Sequence, residues 1–232
     1  MKKTVLFLLI LLVLMTSVSA LAAGKIRVTQ ENFIVAGSYT KYGYVYMRLD
    51  NVGDKPIKVN AAILEVFDED GNPITSTDSL WEYAEYLQPE EYTYAYMYTK
   101  IEDEFVGKVD DYLLTVTGKS DTNYVTLRLP VVTEYAENVP GRYGTADYMY
   151  ATVTNNTEEP IFSVEVVLVL LDEEGNILYM KDESMYSEKA IMPGSSILIR
   201  KEVDSSFKEV FAEKGLKPHS VDAIAFVNIR QK

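Results

Sequence analysis

The residues Tyr44-Val-Tyr-Met-Arg-Leu-Asp50, Asn51, Pro56-Ile57 and Asp68-Glu-Asp-Gly-Asn72 return later as Tyr148-Met-Tyr-Ala-Thr-Val-Thr154, Asn155, Pro160-Ile161 and Asp172-Glu-Glu-Gly-Asn176. Each landmark is displaced by 104 positions, and the same offset carries Gly37 to Gly141, Tyr39 to Tyr143 and Pro89 to Pro193. An ungapped match of this length marks a tandem duplication of one structural unit. In the first copy Val45, Met47 and Leu49 alternate with Tyr44, Tyr46, Arg48 and Asp50. A period of two means a strand with one buried face, here the Val-Met-Leu side. Asn51 to Lys55 breaks the pattern, and Pro56 opens the next strand, where a missing N–H is tolerated.

Working outward, Lys25 to Val28 reads as an earlier strand, with its counterpart near Leu129 to Val132. Ile57 to Phe67 and Ile161 to Leu171 read as strands ending at an acidic residue followed by Gly, a turn that needs positive φ. Residues 75 to 88 show no period; Tyr92 to Thr99 and Ser196 to Val203 then alternate again. In the second copy Ser206 and Glu209 have capping-box spacing, Phe207, Val210 and Phe211 make a helical stripe, and Gly215 with Pro218 ends it. Lys100 to Val106 is a shorter helical candidate in the first copy; aligning Val221 with Val109 makes the second connection eight residues longer. The closing strands are Asp111 to Thr117 and Asp222 to Ile229, and the polar stretch Gly118 to Asn123 reads as the linker. Short strands at regular spacing, twice over, predict an all-β chain. Its two tandem immunoglobulin-like antiparallel β-sandwiches span residues 24–119 and 122–232, each with a short helix before its last strand. Val164 to Leu171 is apolar on both faces, which a strand with one wet face does not require, so Val167 and Val169 are expected to be covered by the linker or the first domain.

The run Asn51, Pro56-Ile57, Val66-Phe67-Asp68, Gly71 and Pro89, with Asn155, Pro160-Ile161, Leu170-Leu171-Asp172, Gly175 and Pro193-Gly194, resembles the bacterial FxLYD-type immunoglobulin-like domains. Both copies lack the Tyr of that pattern, and Glu90 stands where the Gly after Pro89 belongs. The resemblance covers about half of each repeat and implies an extracellular module of bacterial origin, with no shared chemistry.

Composition narrows the function classes. Residues 1–23 have the form of a secretory signal peptide: Lys2-Lys3, an apolar run from Val5 to Met15, and small residues to Ala23. The run is shorter than the ~20 residues that span a bilayer, so no membrane insertion is expected after cleavage. An extracellular or cell-envelope location follows. The formal charge is −13, which disfavours nucleic acid and anionic membrane surfaces. With zero cysteines, thiolate nucleophiles and thiolate metal sites are excluded. The acidic turn at Asp68 places Gly fourth and Ser79 twelfth, unlike a helix-loop-helix calcium loop. His219, the sole histidine, lies in a loop without a nucleophile motif. Carboxylate pairs such as Glu90-Glu91 and Asp103-Glu104 are what any acidic surface offers. Asn155-Asn156-Thr157 fits a glycosylation acceptor but equally a turn. No metal, cofactor or catalytic residue is expected.

The tyrosines carry the remaining signal, eleven of eighteen lying in the first repeat. Tyr92, Tyr94, Tyr96 and Tyr98 alternate along one strand, and the second repeat has Arg200 and Glu202 where Tyr96 and Tyr98 stand. Polar replacements place that row on the solvent side. Pairing of the two strands would set Tyr44 and Tyr46 beside Tyr94 and Tyr96, an exposed ladder able to bind a protein partner or an envelope or extracellular polymer. Two other readings leave the rings structural: cross-strand stabilisation of the sheet, or cover by the other domain. The expectation is therefore a non-enzymatic binding or adhesion module. A structural or assembly protein and a carboxylate-dependent hydrolase are the alternatives.

Overall fold

The computed structural model describes residues 25–101, 105, 107–141 and 144–230. Residues 1–23, which have the form of a leader, Tyr143 and most of the first-copy helical candidate lie outside them. The fold is all-β with antiparallel sheets, as the alternation predicts. Sheet A has the order β1 (Ile26–Ala36), β2 (Tyr42–Asn51), β7 (Tyr92–Lys100), β5 (Leu80–Glu82). Sheet B has β4 (Pro73–Thr77), β3 (Ile57–Asp68) and β6 (Tyr86–Leu87), with β8 (Val109–Ser120) also paired to β3. The second half builds sheet C, ordered β13 (Ile177–Ile191), β12 (Ile161–Leu171), β15 (Ser220–Arg230), β9 (Tyr124–Leu129), and sheet D, ordered β10 (Val131–Gly141), β11 (Gly144–Thr154), β14 (Ser196–Glu202). Among the described residues, strands pair only within their own half of the chain.

Several boundaries depart from the sequence reading. β8 runs through Gly118 to Ser120, so only residues 121–123 connect the halves. The ladder pairs Val66 with Tyr112 and Leu170 with Val221, an offset of 109 for the last strand. The second connection is thus five residues longer, not eight, because aligning Val221 with Val109 ignored the ladder. Its helix, α1 (Ser205–Lys214), starts after Asp204 rather than Ser206. The Asp204 carboxylate makes no capping bond and instead pairs with Lys181 at 2.9 Å. Gly215, at φ 68°, closes the helix in the left-handed conformation that glycine adopts without a Cβ clash.

The repeat landmarks have identical structural work. Asn51 donates its side-chain amide to the Lys55 and Leu87 carbonyls, and Asn155 to those of Glu159 and Ile191. Each is buried and accepts from the N–H two residues on, so the side chain substitutes for backbone partners in a loop. At the acidic turns, Asp68 accepts from the Asp70 and Asn72 N–H groups, and Asp172 from that of Asn176. The Asn72 bonds come first among the causes that lower the Asp68 pKa.

Two cores result. Val45, Met47, Leu49, Ala95 and Met97 of sheet A pack on Val59, Ala62, Leu64 and Val66 of sheet B. The second core joins Met149, Ala151 and Val153 of sheet D to Val166, Leu168 and Leu170 of sheet C. It does not stop there. Tyr46, Tyr94 and Ile34 from the outer side of sheet A belong to the same cluster, together with Val167 and Val169. The four sheets therefore stack in the order B, A, C, D, and the outer face of A is closed by the outer face of C.

Candidate binding surface

The ladder of sheet A sets the geometry of the tyrosine row. Register pairs Tyr44 with Tyr98, Tyr46 with Tyr96 and Arg48 with Tyr94. The rows are shifted by one pair from the expected neighbours, and Arg48 rather than a tyrosine flanks Tyr94. Its guanidinium instead lies 3.8 Å from the Tyr92 ring centroid. Rings at this spacing approach each other along the sheet: Tyr44 and Tyr46 lie 6.0 Å apart at 13°, Tyr96 and Tyr98 6.2 Å apart at 18°.

The expected exposure of the whole row is not found. Tyr46 is 3% exposed and Tyr94 2%, because the second half of the chain lies on them. The Tyr94 hydroxyl donates to the Asp222 carboxylate on β15. Burial first, then that bond, raises its pKa well above the ordinary phenol value. Tyr46 meets Tyr179 edge-on at 6.1 Å, and Phe207 of α1 lies 5.1 Å from Tyr44 and 4.7 Å from Tyr179. Phe207, Val210 and Phe211 are all buried. The helical stripe thus closes the seam between the halves as well as the end of one sandwich. Asn32 donates to the Ile177 carbonyl at 2.6 Å, Thr126 to Tyr86 at 2.8 Å, and Arg128 to the Tyr92 carbonyl. Polar groups that burial would strand are paired across the seam, as a permanent interface requires. Burial first, then the charge of Asp204, raises the pKa of the hydroxyl of Tyr179, which lies beneath Phe207.

One margin of the row remains open. The ladder runs Asn32, Tyr46, Tyr96, Trp81 across sheet A, part-buried at Asn32, buried at Tyr46 and open at the β5 end. Trp81 is 51% exposed and lies 6.1 Å from Tyr96 at 11°. Tyr98 is 37% exposed and stands 5.8 Å from Tyr44 at 30°. Tyr44 and Tyr96 are half-buried. Burial, then the charge of Asp182, pushes the Tyr96 hydroxyl up to about 12, so it stays a neutral donor at physiological pH. Of the four tyrosines read as a site, Tyr44 and Tyr96 thus lie on an open aromatic margin, and Tyr46 and Tyr94 do not. Trp81, the single tryptophan, was hidden in the stretch without a period.

Other candidates resolve as structure. Asn155 is fully buried with its amide nitrogen committed to two carbonyls, which closes it to glycosylation. His219 is exposed, and its backbone N–H donates to Leu171. Among the described residues no group of three or more acidic or histidine side chains is placed to hold a metal, and no helix is long and apolar enough to cross a membrane. A cleft of about 570 Å³ beside α1 is flanked by Lys41, Lys108 and Lys214. Lys108 pairs with Asp110, and Lys214 sits in the last turn of α1, where positive charge complements free carbonyls.

Neither a protein-family model nor a curated protein matches the sequence. Among solved structures, chains of the infectious bursal disease virus T13 particle and of the Gt strain are 8% identical to it. Their TM-scores are 0.24 and 0.17, and they overlap 90% of this chain. The chain spans 65% and 68% of their lengths, and at these scores the likeness carries no argument.

Proposed function

We propose that the protein is an exported, non-enzymatic binding or adhesion module of the bacterial cell surface or its surroundings, and that it grips its ligand with the open aromatic margin of sheet A. One observation carries this reading: Trp81, Tyr96, Tyr98 and Tyr44 form a connected run of rings in which Trp81 and Tyr98 are exposed and Tyr96 and Tyr44 half-buried. Rings with an apolar face and a polar rim suit the flat faces of sugars and extended polymers. The leader pattern of residues 1–23 and the FxLYD-like landmarks support export and bacterial origin. Each hot-spot aromatic contributes ~1–2 kcal/mol or more, so three or four suffice for micromolar binding.

The test is retention of the purified protein on insoluble cell-wall material and on immobilised polysaccharides. Trp81→Ala with Tyr98→Ala is expected to abolish retention while leaving the melting temperature within a few degrees, since both side chains are exposed. Retention equal to wild type would remove the aromatic margin from consideration. A structural or assembly role is the second reading, favoured by the two sheet faces that the chain leaves uncovered.

A further inference from the structure

Duplication and the stacking order together make a prediction about those uncovered faces. Sheet D is the repeat equivalent of sheet A, and sheet B of sheet C. Within the chain, the outer face of A closes on the outer face of C. The step that carries the first sandwich onto the second would carry sheet B of another copy onto sheet D. We infer that the protein stacks head to tail, the outer face of β10, β11 and β14 docking on the outer face of β3 and β8 of a second copy.

The side chains argue for this partner. Inside the chain Tyr94 on A meets Asp222 on C. The equivalent of Tyr94 at the 104 offset is Leu198, and that of Asp222 at the 109 offset of the last strand is Leu113. Leu198 is 65% exposed and Leu113 53%, each large and apolar on an open sheet. A polar pair in the covered seam is replaced on both free faces by an apolar pair. The next contact is not reproduced. Asp182, opposite Val167 on sheet C, acts on Tyr96 across the seam, and Arg200 stands exposed in the place of Tyr96. But β4 ends at Thr77 and the chain then crosses to sheet A, so among the described residues sheet B has no counterpart of Asp182. Tyr150 keeps the place of Tyr46, and Ile63, also exposed, keeps that of Val167. Single changes on one face would be ordinary drift. Matched changes on two faces that do not touch within one molecule fit a contact between molecules. Because the two surfaces differ, the contact is heterologous and does not close on itself unless the rotation brings it round to a ring.

This inference stands apart from the aromatic margin, which lies on sheet A. Sedimentation and light scattering of the purified protein over rising concentration should show mass growing past the dimer. Leu198→Glu and Leu113→Glu should each be monomeric alone and melt like wild type. Mixed in equal amounts they should give dimers and nothing larger, since Leu198→Glu keeps its sheet B intact and Leu113→Glu its sheet D. A wild type that stays monomeric at every concentration would make the outer faces simple caps, as in terminal repeats. Association of the wild type without dimers in the mixture would place the contact elsewhere. Either result overturns the proposal without touching ligand retention through Trp81 and Tyr98.

Discussion

Replacing Tyr46 by Ala tests the four-layer arrangement, and the duplication supplies the control. Tyr46 is buried on the outer side of sheet A, with Tyr44 and Tyr96 beside it and Phe207 and Tyr179 over it. Truncating a large buried aromatic to Ala costs ~3–5 kcal/mol, from lost burial and the cavity left behind. For a chain of this size each kcal/mol lowers the melting temperature by about 2–4 °C, so a drop of roughly 6–20 °C is expected. Tyr150 is its equivalent on sheet D, part-exposed, its flanking ring Tyr148 lying 6.1 Å away. Tyr150→Ala loses only a cross-strand neighbour, ~0.2–1 kcal/mol, and about 4 °C at most. Thermal melts followed by circular dichroism at low protein concentration, where copies do not associate, give both numbers. Equal small shifts for the two variants would mean that the second half does not cover sheet A. By the same reasoning Tyr94→Ser with Tyr96→Ser should melt far lower than wild type, because Tyr94 is interior.

Three further outcomes follow from particular residues. Phe211→Ala should cost about 3 kcal/mol in chemical denaturation, since the ring is buried, whereas a loss below about 0.5 kcal/mol would make α1 a surface arm. Glu90 holds a φ of 68° where the second copy has Gly194 at 75°, so Glu90→Gly should relieve left-handed strain and stabilise by about 0.5–1 kcal/mol, and a destabilised variant would show that its side chain matters more than its backbone. Glu165 on β12 lies near Glu85 of the first half and Asp182 of the adjacent β13, with Lys58 bonded to Glu85 at 2.7 Å; burial and then the charges of Glu85 and Asp182 raise its pKa. Its folded pKa thus exceeds the unfolded value, so its stabilising contribution is complete below the unfolded pKa and is lost as pH rises through the folded one. Glu165→Gln should accordingly melt higher than wild type at neutral pH, with the gap narrowing towards pH ~4 near the unfolded value, and a gap that does not change with pH would remove this account.

How legible the chain was depended on whether local rules decided the matter. Alternation placed β2 and β7 to within a residue or two, the repeat offset placed β12, and the duplicated Asn, Pro and Asp-Gly landmarks marked loops whose hydrogen bonds are now visible at Asn51, Asn155 and Asp68. β4, β5 and β6 were missed because two- to five-residue strands are held by neighbours rather than by a period of their own. The helix start was misplaced because Ser206 and Glu209 satisfy the capping pattern, while Lys181, a residue distant in sequence, draws the Asp204 side chain away from the helix end.

The tyrosine row shows what kind of inference local rules cannot complete. Polar replacements at Arg200 and Glu202 do mark the outer face of sheet D, and the row is on the corresponding outer face of sheet A. Outer does not mean wet when the next sheets begin three residues after β8 ends. The sequence held two surfaces without a partner: aromatics on one side of β7, and Val167 and Val169 on the side of β12 that should have been polar. Burying either against water's place costs nothing only if the other supplies the contact, at roughly 25 cal/mol per Å² of apolar surface removed. Each unexplained face is the explanation of the other. Leu198 and Leu113 pose the same question one level up, as two outward apolar positions without a partner in the chain, and a second copy answers it with the geometry the first seam already uses.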